Sequence, residues 1–194
     1  MLSFESDNGF RKVRVWNNEV PFSYNPSKKL KMTIDSGKYF WNEEIICIEA
    51  RLNPRHASNY AMVCVKYIRT QSDNTNIIIN YGNCGMDNVQ NELFNKNAVI
   101  GLDDYFADAI YEFFQECPKN IIPNGTIEVI GGAYDEIGSS NSSFKYIMEL
   151  LMWIFINYNK INEDSFGDKL LSKIYEDQYY DTKIKRNSMM PEAE

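Results

Sequence analysis

The sequence predicts an α/β (α+β) two-layer sandwich, a mixed sheet with helices on one face. Three observations carry this. Ile45 to Leu52 and Tyr60 to Ile68 are long strand-like runs separated by a polar turn. A third strand-like run, Thr126 to Gly131, lies between two segments of helical period, Asp103 to Cys117 and Ser140 to Tyr158. The order strand, strand, helix, strand, helix lets both helices pack onto the sheet that the strands build.

The first forty residues read as short strands and turns. Lys12 to Trp16 and Val20 to Tyr24 flank Asn17-Asn18-Glu19, a hairpin-like break, and Lys29 to Ile34 alternates weakly before Asp35-Ser36-Gly37 ends it. In Ile45 to Leu52 the alternation puts Ile46, Ile48 and Ala50 on one face and Cys47, Glu49 and Arg51 on the other. Tyr60 to Ile68 follows across Asn53–Asn59, and the two runs predict an antiparallel hairpin. Asn76 to Tyr81 predicts another strand, ended by Gly82-Asn83-Cys84-Gly85. Met86 to Lys96 is read as a short helix.

Asp103 to Cys117 carries the stripe Phe106, Ala109, Ile110, Phe113, Cys117, with acids at its start and Pro118 as a stop. The helix from Ser140 has Ser139 or Ser140 available as N-cap. Phe144, Ile147, Met148, Leu151, Phe155 and Tyr158 make one stripe, and Leu150, Trp153, Ile154 and Ile156 a second. A helix apolar on two sides needs two covers. The sheet is one, and a helix from Asp164 to Tyr175, with Phe166, Leu170, Leu171 and Ile174, is the other.

The chain has 194 residues, 44% of them hydrophobic, which suits a folded domain rather than disorder. Its net charge of −7 opposes strong non-specific binding to nucleic acid, because phosphate is repelled at long range. The four cysteines form no C-x-x-C pair, and Cys47 and Cys64 lie inside strand runs, so buried reduced thiols are expected. With no leader-like start and no long apolar run, the reading is a cytoplasmic protein that does not enter a membrane. No G-x-x-x-x-G-K-[ST] loop occurs, so no nucleotide is expected. His56 is the sole histidine. Asp103-Asp104 is explained as helix-start charge, and Asp135-Glu136 as acids that meet a basic partner rather than catalyse. No catalytic residue, metal or other cofactor is expected.

The most distinctive stretch is Gly131-Gly132-Ala133-Tyr134-Asp135-Glu136-Ile137-Gly138-Ser139-Ser140, followed by Phe144. It resembles the strand–loop–helix signature of domain IV of the ribosomal translocases, elongation factor G and its relatives. Gly132, Tyr134, Glu136, Ile137, Ser139, Ser140 and Phe144 keep that pattern. Asp135 stands where the family has histidine, and Gly138 where it has aspartate. Gly101 to Ile110 is similar to the start of the family's first helix. Tyr60 follows its loop as a tyrosine does in the family. The resemblance covers about Ile45 to Tyr158.

It implies a domain organisation: residues 1–44 as an N-terminal strand and turn extension, 45–158 as a domain IV-like core, and 159–194 as a C-terminal helix and frayed tail. It implies a fold like domain two of small-subunit ribosomal protein five, with a left-handed βαβ crossover. It also implies that Asn53–Asn59 and Gly131–Gly138 meet at one end of the sheet. Those loops touch transfer RNA and small-subunit RNA in the family. The expectation is therefore a non-enzymatic domain acting without a GTPase. Arg51, Arg55, His56 and Asn59 would bind a ribosomal or RNA surface, and Tyr134, Asp135, Glu136 and Ser139 would shape the second loop. The alternative partner is a basic protein, such as a toxin or nuclease, towards which the negative charge would steer the chain.

Overall fold

The computed structural model describes residues 1–5, 11–37, 40–42, 44–51, 59–85, 93, 95–161 and 165–172. Eight strands form one mixed sheet: β1 (Leu2–Glu5), β2 (Lys12–Asn17), β3 (Lys28–Asp35), β4 (Ile45–Arg51), β5 (Tyr60–Ile68), β6 (Asn74–Tyr81), β7 (Val99–Ile100) and β8 (Gly125–Tyr134). The helices are α1 (Asp104–Glu116), α2 (Asn141–Ile156) and α3 (166–172). The strand order is β1-β2-β4-β5-β8-β6-β3, with β7 on the far end of β8. β4 and β5 make the expected antiparallel hairpin. β6 and β8 are parallel, and α1 lies in the connection between them.

The sheet divides the core in two. On its first face Ile46, Ile48, Ala50, Val63, Val65, Ile77, Ile79, Ile127 and Val129 pack beneath the buried stripes of α1 and α2. All five residues of the α1 stripe are buried. Each large side chain so covered contributes roughly 1.5–3 kcal/mol. α1 starts where the Asp103 side chain accepts from the Phe106 N–H, and α2 starts at a capping box between Ser140 and Ser143. α3 is the second cover of α2: Phe166 lies 5.3 Å from Trp153 and 6.0 Å from Phe4 of β1, measured between ring centroids. Ile156 departs from the predicted stripe and is 51% exposed.

Among the described residues the second face is covered by chain rather than by helices. Trp16, Cys47, Tyr60, Met62, Cys64 and Ala133 form its floor, and Phe22, Leu93, Ala98 and Ile100 its lid. This corrects the predicted strand Val20 to Tyr24. Asn18 takes a left-handed conformation and turns the chain back, its N–H bonded to the Ile45 carbonyl, and the following segment crosses the sheet with a single bridge at Phe22. β2 pairs instead with β1 and β4. Residues 1–44 thus supply both edges of the sheet, β1 with β2 on one side and β3 on the other. Most of the predicted helix Met86 to Lys96 lies outside the described residues, and Leu93, Asn95 and Lys96 are not helical. The predicted tail, Asp181 to Glu194, also lies outside them, as do both ends of the helix foreseen over Asp164 to Tyr175.

Cys47 and Cys64 are directly opposed in the β4–β5 register and joined in a disulfide. The expectation of reduced thiols fails there, because pairing across strands and not spacing along the chain brings the sulfurs together. Cys84 and Cys117 remain free. Among the described residues no helix is long and apolar enough to cross a membrane.

Closing a loop of sequence separation 17, the disulfide restricts the unfolded chain, so Cys47→Ala with Cys64→Ala should lower stability by about 3 kcal/mol. Guanidinium unfolding of the oxidised wild type against the double variant measures it. A Cβ on Gly132 would sit 2.5 Å from the Met62 carbonyl oxygen and 2.8 Å from Leu102, so Gly132→Ala should cost about 2 kcal/mol in the same assay.

Candidate functional site

β8 does not run straight. Its register against β5 shifts between Cys64 and Val65, which pair with Gly131 and Val129, leaving Ile130 as the extra residue of a β-bulge. Before the bulge, Ile127 and Val129 face the helices. After it, Gly131 and Ala133 face the second side, where Gly131 meets Phe22 and Tyr24. Parity has switched, and this decides where the residues at the end of β8 and in the following loop go. The strand expected to end at Gly131 runs on: β8 continues through Gly132 to Tyr134, and the connection to α2 is only Asp135 to Ser140.

Tyr134 is thereby turned under α1. Its ring centroid is 5.0 Å from that of Phe106. Its hydroxyl pKa is pushed up to about 12, by burial first and then by the Cys84 thiol and Asp103 beside it. Tyr134, expected to shape the second loop, lies at the end of β8 and packs on Phe106 of α1.

Asp135 emerges on the second face. Its Oδ1 accepts from the backbone N–H groups of Ile137 (2.9 Å) and Gly138 (3.1 Å), and its Oδ2 from the Asn95 side-chain amide at 2.8 Å. Partial burial would raise its pKa. The Asn95 donor, the two N–H groups and nearby Arg51 outweigh burial and hold it below the ordinary 3.8. An aspartate at this position makes the turn its own scaffold.

Ser139 closes the loop from the other side. Its Oγ accepts from the Asp135 N–H at 2.8 Å and donates to the Tyr60 carbonyl at 2.6 Å. The Tyr60 N–H in turn donates to the Gly138 carbonyl at 3.2 Å. The β8–α2 loop is therefore bonded to the first residue of β5, where the β4–β5 connection ends. Asn59 is half-exposed just before that point. Arg55 and His56 lie outside the described residues.

Sequence reasoning missed what lies behind the loop. Glu49 is fully buried on the second face. Its carboxylate accepts from the Tyr60 hydroxyl at 3.0 Å, the Asn95 N–H reaches it at 3.5 Å, and Arg14 lies 3.8 Å away. Burial first, then Glu49, drives the Tyr60 hydroxyl pKa well above its usual value. Two carboxylates, Glu49 and Asp135, are thus matched by two guanidinium groups, Arg14 and Arg51, with Asn95 bridging the acids. Breaking such a pair costs more than forming it gains. The available signal was Glu49 itself, an acid in the middle of a strand with apolar neighbours.

With Tyr134, Asp135 and Ser139 turned inward to hold the loop, its exposed apex is Glu136 and Ile137, the latter 86% exposed. The surface offered is an apolar knob beside a carboxylate on a rigid turn. Cys84, next to Tyr134, has its thiol pKa raised by burial and by Asp103, which disfavours the nucleophilic thiolate. No group of three or more metal-ligating side chains occurs among the described residues. Comparisons with protein-family models, with curated proteins and with solved structures found no match.

Asp135 links the loop to pH. Because its folded pKa is depressed, its contribution is complete above the unfolded value of 3.8 and is lost as pH falls through the lower folded value. Asp135→Asn should remove this acid-side dependence. It should also cost about 1 kcal/mol at pH 7, discounted for the loop's exposure, as read by urea unfolding at pH 7 and pH 3.

Proposed function

We propose that this chain is a non-enzymatic binding domain that uses the β8–α2 loop to dock a basic protein surface. The observation that carries the reading is the apex itself. Glu136 and Ile137 are presented to solvent, while the one described cation predicted to bind, Arg51, lies beside Asp135. An exposed aliphatic knob flanked by negative charge suits a partner with an apolar pocket and a cationic rim. The net charge of −7 favours the same partner at long range.

A second reading keeps the translocase resemblance as function: a ribosomal or RNA surface is bound through the two connections at this end. What favours it is the bonding of Gly138 and Ser139 to Tyr60, which brings the β8–α2 loop to the end of the β4–β5 connection as that resemblance requires. The finer fold proposed with it is that of translocase domain IV, with β6, α1 and β8 as a left-handed crossover. Arg55, His56 and Asn59 would then supply the cationic and polar contacts to phosphate.

A photo-crosslinking residue at position 137 in the tagged full chain distinguishes the two in cell lysate, with position 108 on exposed α1 as control. The expected product is one basic protein, unaffected by ribonuclease, and Ile137→Asp should cut recovery at least tenfold when the label is moved to position 136. Crosslinks to small-subunit ribosomal RNA would replace the first reading with the second. Equal yields at positions 137 and 108 would remove both.

A further inference from the structure

The lid of the second face meets β8 at Gly131. Beyond it, towards Gly125, the second-face residues of β8, β6 and β3 are half-buried or exposed, apart from Asn80. The register sets them in rows: Lys31 opposes Ile78, Ile78 opposes Glu128, and Glu128 opposes Lys66. Parallel strands are normally covered on both faces, and strands so placed read as continuous apolar runs. β6 and β8 are parallel, and they carry Ile77-Ile78-Ile79 and Val129-Ile130. Ile77, Ile79 and Val129 are buried beneath the helices, whereas Ile78 and Ile130 on the other side are only half-buried. The two runs are those of a strand pair with a cover on this side as well.

The charges around this strip are unevenly engaged. In β3, Leu30 and Met32 pack towards the helices, so Lys29 and Lys31 stand on the second face. In β5, Val65 and Tyr67 do the same, which puts Lys66 there. None of these three lysines makes an ion pair among the described residues. The neighbouring acids are held. Glu128 accepts from the Asn80 amide at 3.0 Å, Glu44 accepts from Asn18, and Asp35 pairs with Lys119. Adjacent strands lie about 4.8 Å apart, so the lysines of β3 and β5 flank a strip roughly 14 Å wide over β6 and β8. An α-helix with its side chains is about 10–12 Å across. Beside Lys66 lies an open hollow of about 350 Å³, lined in part by Ile45 and Ile68.

We propose that this strip docks an acidic amphipathic helix of a partner protein. Its aliphatic side chains cover Ile78 and Ile130, and its carboxylates meet Lys29 and Lys31 on one flank and Lys66 on the other. The lysines select acids, the width of the strip selects a helix, and the two isoleucines select an aliphatic face. A single-stranded nucleic acid fits the strip less well. None of the second-face residues of β3, β6 or β8 up to Ile130 is aromatic, so bases find no ring to stack on. The strip lies at the other end of β8 from the β8–α2 loop, so either proposal can fail alone.

The full chain is titrated with a fluorescein-labelled synthetic helix bearing leucines on one face and Glu on the other, and with the same helix carrying Gln in place of each Glu. Anisotropy should show saturable binding of the acidic helix that weakens as salt rises. The Gln helix should bind at least tenfold more weakly. Lys31→Glu with Lys66→Glu should weaken the acidic helix at least tenfold, and Ile78→Ser should weaken it while leaving the salt dependence intact. In the wild-type chain the bound acidic helix should protect Lys31 and Lys66 from acetylation, read by mass spectrometry, and leave the exposed Lys169 of α3 reactive. No saturable binding, equal binding of the two helices, indifference to the lysine pair, or equal protection of Lys169 would overturn the proposal. So would a polyuridine oligonucleotide that displaces the helix and binds the same lysines more tightly, which would make the strip a nucleic-acid surface.

Discussion

One inserted residue governs this molecule's working end. Because Ile130 is left unpaired against β5, every side chain after it in β8 changes face. Tyr134 goes under α1 and Asp135 goes to the second face. Without the bulge their destinations would exchange: a phenol would sit among the polar groups around Glu49, and a carboxylate would be driven into the aromatic layer of Phe106 and Phe144. The glycines that follow make the bulge tolerable. At Gly131 and Gly132 a Cβ would press on Phe22, Tyr24 and Leu102. Close approach on both faces of the strand is what those two positions provide.

The buried Glu49 is the second constraint. A carboxylate with no exposure needs donors from several directions, and they come from different parts of the chain: Arg14 from β2, Tyr60 from β5 and the Asn95 backbone. Asn95 then reaches on to Asp135. The cluster joins the N-terminal strands, the hairpin, the segment before β7 and the β8–α2 loop through polar contacts rather than apolar packing. Such a network has few alternative arrangements, so it specifies position more than it adds stability. The exposed Ile137 is consequently held by groups deep in the protein.

The hairpin β4–β5 was legible because its alternation is complete on both strands, with Ile46, Ile48 and Ala50 on one face and Cys47 on the other. α1 and α2 were legible because their stripes and caps agree. Val20 to Tyr24 misled because apolar residues that alternate can also cover a sheet, and Phe22 does so with a single bridge rather than a ladder. The disulfide was hidden because register, not spacing, makes Cys47 and Cys64 neighbours. The site was half legible. Asp135, Glu136 and Ser139, grouped in the sequence, lie together in the β8–α2 connection. Gly131-Gly132 fits a loop and a bulge equally well in one dimension, so the roles of Tyr134 and Asp135 could not be separated.

The placement of the first 44 residues has a kinetic side. They are synthesised before β4 and β6, yet apart from the local β1–β2 pairing their strands find no final neighbour at once. β2 waits for β4, and β3 waits for β6, whose own parallel partner β8 follows only after α1. Asp35 pairs with Asn74, and Thr75 with Gly125. Contacts of such wide sequence separation are formed slowly, because loop entropy is lost before they return anything. The hairpin β4–β5 closes locally and is the natural seed, with β8 adding to it and β3 last of all. Until then β3 is an unclaimed strand, and its run Lys28-Lys29-Leu30-Lys31 carries the charge that discourages pairing with another chain's edge.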